Sequence, residues 1–247
     1  MKKNHKFLSV VFLIILAFLI LISILLFAYY ELCNIFKLPF KGNKYGEMVR
    51  QVQLIGCGII PTIPIRKKIY YQKELVGVIS NDILILKGTS TLLDTLKDLK
   101  EEKKHINGGM VASGANSIFE GIKSQLINEN INYITGYSLG SMVGIQVALW
   151  IFNTTGKKTK NIFFGLPPIT NEVYKNTFNK HLYENTVSYN NDKDPLAYPF
   201  FGNNFIYKFL SHSMNYHHVG QIKSDYPYTN FYKKYWFFPP AYHTSYF

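Results

Sequence analysis

The segment "INYITGYSLGSMVGIQVALWIF", residues 131–152, decides the fold of this chain. It begins with a short β-prone run, then "GYSLG" places a serine between two glycines, and a longer apolar stretch follows. The first run has the length of a buried strand and the last stretch has the length of a helix. The pattern therefore predicts a strand, a tight turn and a helix in direct succession, with Ser138 in the turn.

The flanking sequence continues this alternation. Two β-rich runs within residues 68–88, separated by "SND", predict a hairpin whose second strand is "DILILKG". Further strands are predicted in "NIFFG" (161–165) and "NTVSYNND" (185–192), and helices in residues 91–104, 116–129 and 141–152. This order predicts an α/β domain with a largely parallel central sheet.

The N-terminus predicts a membrane anchor. Residues 7–30 contain no charged side chain, and at about 1.5 Å per residue a helix of this length crosses a hydrocarbon core of about 30 Å. The run is longer than the apolar region of a cleaved signal peptide and lacks a small-residue cleavage site, which favours an uncleaved signal anchor. Lys2, Lys3 and Lys6 precede it, so we expect the N-terminus in the cytosol and the domain on the lumenal or extracellular side.

The charge and the cysteine content narrow the classes of molecule that the protein could bind. The chain has 27 Lys and Arg against 15 Asp and Glu, a formal charge of +12. Such a surface can favour anionic lipid headgroups, but no nucleic-acid motif accompanies the scattered lysines, so no nucleic-acid partner is predicted. Cys33 and Cys57 are the two cysteines. They exclude a disulfide-rich scaffold, leave one possible bridge and do not resemble a zinc site.

The turn around Ser138 has the sequence of a nucleophile elbow. In α/β-hydrolases, G-x-S-x-G lies between a strand and a helix, and its glycines relieve crowding between the two backbones. The helix N-terminus also favours negative charge developing near the serine. A serine nucleophile needs a base and a group that orients it, and this fold has the order Ser, then Asp or Glu, then His. Downstream candidates are Asp192 and Asp194, followed by His212, His217, His218 and His243.

Five further segments carry a family resemblance: "LKGTST" (86–91), "HINGGMVASG" (105–114), "FFGLPPI" (163–169), "NDKDPLAYP" (191–199) and "YHHVG" (216–220). From about Ile83 to the C-terminus, the chain resembles the class 3, or fungal-type, lipase family of the α/β-hydrolases. The segments occur in the family's order. The chain departs from the family pattern at Lys87 and Pro168, where the family has arginine, and at Met110, where it has an aromatic residue.

The resemblance implies a catalytic triad. It assigns the acid to Asp194 rather than Asp192, and "HTSYF" at the C-terminus is similar to the family segment around the catalytic histidine. His243 is then the general base and acid, with His218 as the alternative base. The backbone N–H groups of Leu139 and Thr89 would form the oxyanion hole, with the Thr89 hydroxyl as a further donor.

These features predict a membrane-anchored serine hydrolase that needs no metal or cofactor. We expect a basic head (1–6), a transmembrane anchor (7–30), a juxtamembrane segment and start of the fold (31–70), and a class 3 lipase-like α/β-hydrolase domain (71–247). Lipid acyl esters, most simply glycerolipids, are the expected substrates. Leucines at helical spacing in residues 90–104 suit either a core helix or a lid over the site. The alternatives are an esterase acting on non-lipid esters and a catalytically inactive membrane scaffold.

Overall fold

The computed structural model describes Leu16, Leu19 and residues 42–88, 103–106, 109–191, 194 and 217–224. The chain divides into two units, Met1–Leu38 and Pro39–Phe247. Leu16 and Leu19 are helical, and the rest of the predicted anchor lies outside the described residues. Within the described part of the chain, no helix has both the length and the apolar character needed to cross a bilayer.

A seven-stranded, mostly parallel sheet organises the second unit. The strands in chain order are β1 (Lys67–Tyr71), β2 (Glu74–Ser80), β3 (Ile83–Leu86), β4 (Lys103–Ile106), β5 (Gly109–Ala112), β6 (Tyr133–Tyr137), β7 (Lys160–Phe164), β8 (Thr186–Tyr189) and β9 (Gln221–Lys223). The main sheet has the order β1-β2-β3-β6-β7-β8-β9. Its first two pairings are antiparallel and the other four are parallel. Strands β4 and β5 form a separate antiparallel pair. This architecture confirms the predicted α/β class.

Four α-helices accompany these strands among the described residues: α1 (Lys44–Ile55), α2 (Ser113–Leu126), α3 (Leu139–Thr155) and α4 (Glu172–Leu182). A short 3₁₀ turn, Tyr183–Asn185, follows α4. Helix α1 begins at Asn43, whose side-chain oxygen accepts the N–H groups of Tyr45 and Gly46 at 3.0 Å. This N-cap satisfies donors that have no partner inside the helix.

Helix α3 packs directly on the sheet because it is apolar on nearly every side. A Cβ atom at Gly144 would lie 3.3 Å from the Ile134 side chain and 2.5 Å from the Phe163 ring. Met142, Ile145 and Leu149 are buried in the same core. The absence of a side chain at Gly144 therefore allows the helix and strands to approach closely.

The parallel register aligns the carboxyl ends of four strands. Leu86 of β3 pairs with Gly136 of β6, and Phe164 of β7 pairs with Tyr137 of β6 and Tyr189 of β8. Segments that follow these strands emerge at one edge of the sheet, where α/β folds generally bind ligands. Ser138 and Gly88 both emerge there.

Among the described strands, β1 pairs with β2 on one side, and a side chain covers its other side. The Tyr70 N–H donates to Gln125 Oε1 at 3.1 Å, and Gln125 Nε2 donates to the Tyr70 carbonyl at 2.7 Å. Glu129, beyond the end of α2, forms ion pairs with Arg66 at 2.6 Å and Lys67 at 2.8 Å. Helix α2 and its C-terminal extension are thus attached to the sheet margin by polar contacts.

The structure differs from the sequence-based expectation in several elements. The first β-rich run is divided into β1 and β2 by a turn at Gln72 and Lys73, which have φ values of 48° and 69°. Residues 103–104, predicted as the end of a helix, begin β4. Residues 91–102 of that predicted helix lie outside the described residues. The sequence analysis did not predict α1, α4, β5 or β9.

Candidate active site

Ser138 occupies the turn predicted between β6 and α3. Its φ of 52° and ψ of −121° lie in a region that residues with a side chain rarely adopt. The Ser138 N–H donates to the Phe164 carbonyl at 3.0 Å, and its own carbonyl accepts the N–H groups of Ser141 and Met142 at 2.9 and 3.2 Å. Neighbouring backbone on both sides thus holds the strained conformation.

The two glycines of the motif are required by close backbone contacts. A Cβ at Gly136 would lie 2.7 Å from the carbonyl carbon of Gly140. A Cβ at Gly140 would collide with the backbone carbonyls of Leu86 and Lys87. The elbow therefore packs backbone against backbone on the end of β3.

Ser141 secures the same turn from inside α3. Its side chain is completely buried, and its hydroxyl contacts the carbonyls of Gly136 at 2.9 Å and Phe164 at 3.1 Å. These two carbonyls belong to β6 and β7. Sequence reasoning missed this residue because a serine in the first turn of a helix usually indicates only capping.

The surroundings of Ser138 favour negative charge. Ser138 is 3% exposed, and Leu139 is the first residue of α3 and is also buried. The N–H groups of a first helical turn have no partner within the helix and carry the positive end of its dipole. The Leu139 N–H is therefore suited to an anion beside the serine.

The predicted oxyanion segment follows β3. The Lys87 N–H donates to the Val76 carbonyl at 3.0 Å, and the Gly88 N–H donates to Gln53 Oε1 at 3.1 Å. A Cβ at Gly88 would lie 2.7 Å from the Tyr137 ring. Burial lowers the pKa of Lys87, opposed by the charge of Glu74. Thr89 itself lies outside the described residues.

Asp194 lies in the protein interior. It has no exposed surface, and its N–H donates to the Asn191 carbonyl at 3.0 Å. Burial and, secondarily, the negative charge of Asp194 raise the pKa of the Tyr137 phenol. Asp194 is therefore close to the residue that precedes Ser138. The competing candidate, Asp192, lies outside the described residues.

Asn190 joins the loops that follow β7 and β8. Its side-chain oxygen accepts the Leu166 N–H and its Nδ2 donates to the Leu166 carbonyl, both at 3.0 Å. The Gly165 N–H also donates to the Tyr189 carbonyl at 2.9 Å. These bonds fix the start of the segment that carries Asp194, and the sequence analysis had not singled out Asn190.

The structure describes only some of the histidine candidates. His243 lies outside the described residues. The His217 N–H donates to the Thr170 carbonyl at 2.6 Å, and the Thr170 hydroxyl donates to the His217 carbonyl at 2.9 Å. His218 follows this bridge and leads into β9, which β7 and β8 separate from β6. At about 4.8 Å per strand, β9 is about 14 Å from the strand that carries the elbow.

No group of three or more His, Cys, Asp or Glu side chains among the described residues could hold a metal ion. The chemistry available at the described edge is that of a buried hydroxyl, a helix N-terminus and a buried carboxylate.

Comparison with known proteins identifies the segment that contains this edge. Residues 83–202 match the family model described as Lipase (class 3). A search of curated proteins found no match.

Three solved lipase structures have a similar fold. Lip2 lipase from Yarrowia lipolytica is 13% identical with a TM-score of 0.51, over 72% of this chain and 77% of that one. Rhizomucor miehei triacylglyceride lipase is 12% identical with a TM-score of 0.53, over 72% and 76%. A fungal lipase in complex with an inhibitor is 13% identical with a TM-score of 0.52, over 79% of both chains. At these identities the likeness shows a common fold.

Proposed function

Because residues 83–202 belong to the class 3 lipase family of serine ester hydrolases, we propose that this protein hydrolyses acyl esters of glycerolipids at a membrane surface. The observation that carries this proposal is the strained backbone of Ser138 at the N-terminus of α3. The fold maintains an unfavourable conformation there, and such strain clusters at functional sites.

The proposed reaction begins with attack by Ser138. Its Oγ forms a bond to the ester carbonyl carbon while His243 accepts the hydroxyl proton. Collapse of the tetrahedral intermediate breaks the bond to the alcohol oxygen, and His243 returns the proton to the departing alcohol. Water, deprotonated by the same histidine, then attacks the acyl carbon. The bond from that carbon to Ser138 Oγ breaks, His243 returns the proton to Oγ, and the fatty acid leaves.

Two backbone donors would stabilise the intermediate. The Leu139 N–H stands at the start of α3, and the Thr89 N–H would approach from the segment that follows Gly88. Each donor in such an oxyanion hole can contribute about 3 kcal/mol to transition-state stabilisation. The contacts of Gly140 with Leu86 and Lys87 support this assignment because they bring the two segments together.

Asp194 would orient the base. A carboxylate in this role holds the imidazole in the useful tautomer and stabilises its cation. The complete burial of Asp194 and its effect on Tyr137 support the assignment. We propose His243 as its partner, on the family resemblance of the C-terminal segment, and retain His218 as the alternative.

The proposed membrane location has one structural support. Ile55, Ile59, Ile60, Ile63 and Ile65 line a surface groove beside Lys68, and Ile60 is 89% exposed. An apolar patch with an adjacent cation suits an anionic bilayer.

The deciding experiment uses the full chain in detergent micelles and in anionic phospholipid vesicles. Hydrolysis of short- and long-chain p-nitrophenyl esters and of diacylglycerol is compared among the wild type, Ser138→Ala, His243→Ala and His218→Ala. We expect turnover that is lost in Ser138→Ala and His243→Ala but retained in His218→Ala. Preference for short soluble esters would favour the esterase alternative. Folded wild-type protein without turnover would favour the inactive scaffold.

Membrane contact is measured separately. Ile60→Asp should reduce hydrolysis of vesicle lipid while leaving hydrolysis of a soluble short-chain ester unchanged, because Ile60 is outside the proposed chemistry. Thr62→Asp, at an exposed polar residue of the same loop, is the matched control. Equal effects of the two substitutions would contradict an apolar contact at Ile60.

A further inference from the structure

Helix α1 lies outside the segment that matches the lipase family, yet it reaches the candidate active site. Gln53, in the last turn of α1, is 5% exposed. Its Oε1 accepts the N–H of Gly88 at 3.1 Å, across 35 positions of sequence. A buried glutamine is uncommon unless its polar atoms are bonded, so this contact accounts for a polar residue on the inner face of α1.

The Gly88 N–H is a donor that the sheet leaves without a strand partner. Pairing of β2 with β3 extends to the Lys87 N–H, which donates to Val76. Gly88 follows and is buried. A buried N–H without an acceptor destabilises the folded state. The Gln53 amide oxygen therefore serves as the acceptor that a backbone carbonyl of a neighbouring strand would otherwise provide.

Gly88 is held from a second direction by the nucleophile elbow. The Tyr137 ring occupies the space where a Gly88 side chain would begin. Gly140 packs on the carbonyls of Leu86 and Lys87 just before it. The elbow thus fixes the segment's position, and the bond to Gln53 fixes the direction of the Gly88 peptide.

We propose that Gln53 is a positioning residue for the oxyanion hole. Its amide oxygen orients the Gly88 peptide at the end of β3, from which the chain continues to the predicted donor Thr89. This inference rests on the proposed function. Oxyanion donors act only when they lie about 2.7–3.1 Å from the developing anion, and a misplacement of about 1 Å can reduce the rate about 100-fold. Gln53 acts without touching the substrate.

The test substitutes Gln53→Met, which keeps the length of the side chain and removes the amide oxygen. Gln53→Glu keeps an acceptor oxygen at the same position and serves as the rescue variant. Gln51→Met is the matched control, because Gln51 Oε1 accepts bonds from Thr62 at 2.9 Å and Ile63 at 3.0 Å rather than from Gly88. All variants are made in the full chain and their thermal unfolding is measured.

Steady-state hydrolysis of a soluble short-chain ester gives kcat and KM. The rate of inactivation by diethyl p-nitrophenyl phosphate adds an independent measure, because its phosphoryl oxygen would use the same donors. We expect Gln53→Met to lower kcat and the inactivation rate about 10- to 100-fold with KM unchanged. Gln53→Glu restores the acceptor oxygen but adds a buried negative charge, so it should recover only part of both rates. Gln51→Met should lower Tm while keeping kcat within about twofold of the wild type.

The other possible outcomes separate failure of the positioning role from failure of the proposed function. Wild-type kcat in folded Gln53→Met, together with loss of turnover in Ser138→Ala, would overturn the positioning role and leave the proposed function intact. An equal loss of kcat in Gln51→Met would assign the effect to α1 stability and also overturn it. Absence of Ser138-dependent turnover in the wild type would overturn both. Should Gln53→Met fail to fold, Gln53→Asn, whose amide stops one methylene short, carries the same expectations.

Discussion

Asp194 and Tyr137 lie close enough for the carboxylate to act on the phenol. Burial is the larger cause of the raised pKa of Tyr137, and the charge of Asp194 adds to it. The Tyr137 ring also contacts Gly88. The Tyr137 side chain, between the motif glycine and Ser138, thus packs on the segment of the proposed oxyanion hole and lies within range of the charge of the proposed acid.

Asp194→Asn should abolish most activity while preserving the fold. An amide in this position favours the wrong imidazole tautomer, and kcat should fall about 10,000-fold. Hydrolysis of a soluble ester by purified full chain measures the loss. Asp192→Asn, two residues away, is the control and should retain activity. The reverse pattern would move the acid to Asp192.

Ser141→Ala should destabilise the protein by about 1–3 kcal/mol because it leaves two buried carbonyls without the Ser141 hydroxyl. Urea unfolding measures the change in free energy. Ser117→Ala is matched to it, since the Ser117 hydroxyl donates within α2 to the Ser113 carbonyl at 3.0 Å and is only partly buried. We expect a smaller cost there, and equal costs would show that the contacts of Ser141 to β6 and β7 have no special value.

Gly140→Ala should impair both stability and turnover. The added methyl group must displace the backbone at Leu86 and Lys87, and over-packing of this kind costs about 1–3 kcal/mol. The displacement also moves the chain that leads to Thr89. Gly56→Ala is the control, since its Cβ would meet one carbonyl at 3.3 Å. Urea unfolding and ester hydrolysis are measured together, and a fully active Gly140→Ala would contradict the tight packing.

Stability should fall in strong alkali because of Tyr174. Burial raises the pKa of its phenol, whereas the phenol in the unfolded chain titrates near pH 10. The stabilising contribution is therefore complete below about pH 10 and is lost as the pH rises towards the folded-state pKa. Urea midpoints at about pH 8 and 11 should differ less in Tyr174→Phe than in the wild type. Tyr183→Phe, at a residue that is 42% exposed, should behave as the wild type does.

Local patterns predicted the centre of the fold well. The strand, turn and helix around Ser138 follow from neighbouring residues, and β7 and β8 follow from short buried runs. The turn at Gln72 and Lys73 was not predicted because neither residue type normally marks a positive φ. There, pairing of Lys67 through Tyr71 with β2 overrides local preference.

Long-range polar contacts could not be predicted from the sequence. Gln53 has no local feature that indicates a bond to Gly88, and Asn190 has none that indicates its two bonds to Leu166. Family resemblance rather than spacing selected Asp194, and its burial supports that choice. Thr89 and His243 stay predictions, since both lie outside the described residues.

The two hydrogen bonds between Gln125 and Tyr70 affect how copies of the protein meet one another. An unpaired strand at the margin of a sheet is a template on which a second chain can add by backbone pairing, the first step towards aggregation. In β1, the carboxamide of Gln125 occupies the N–H and carbonyl of Tyr70 that an incoming strand would need. One glutamine on α2 thereby protects this margin from intermolecular strand addition.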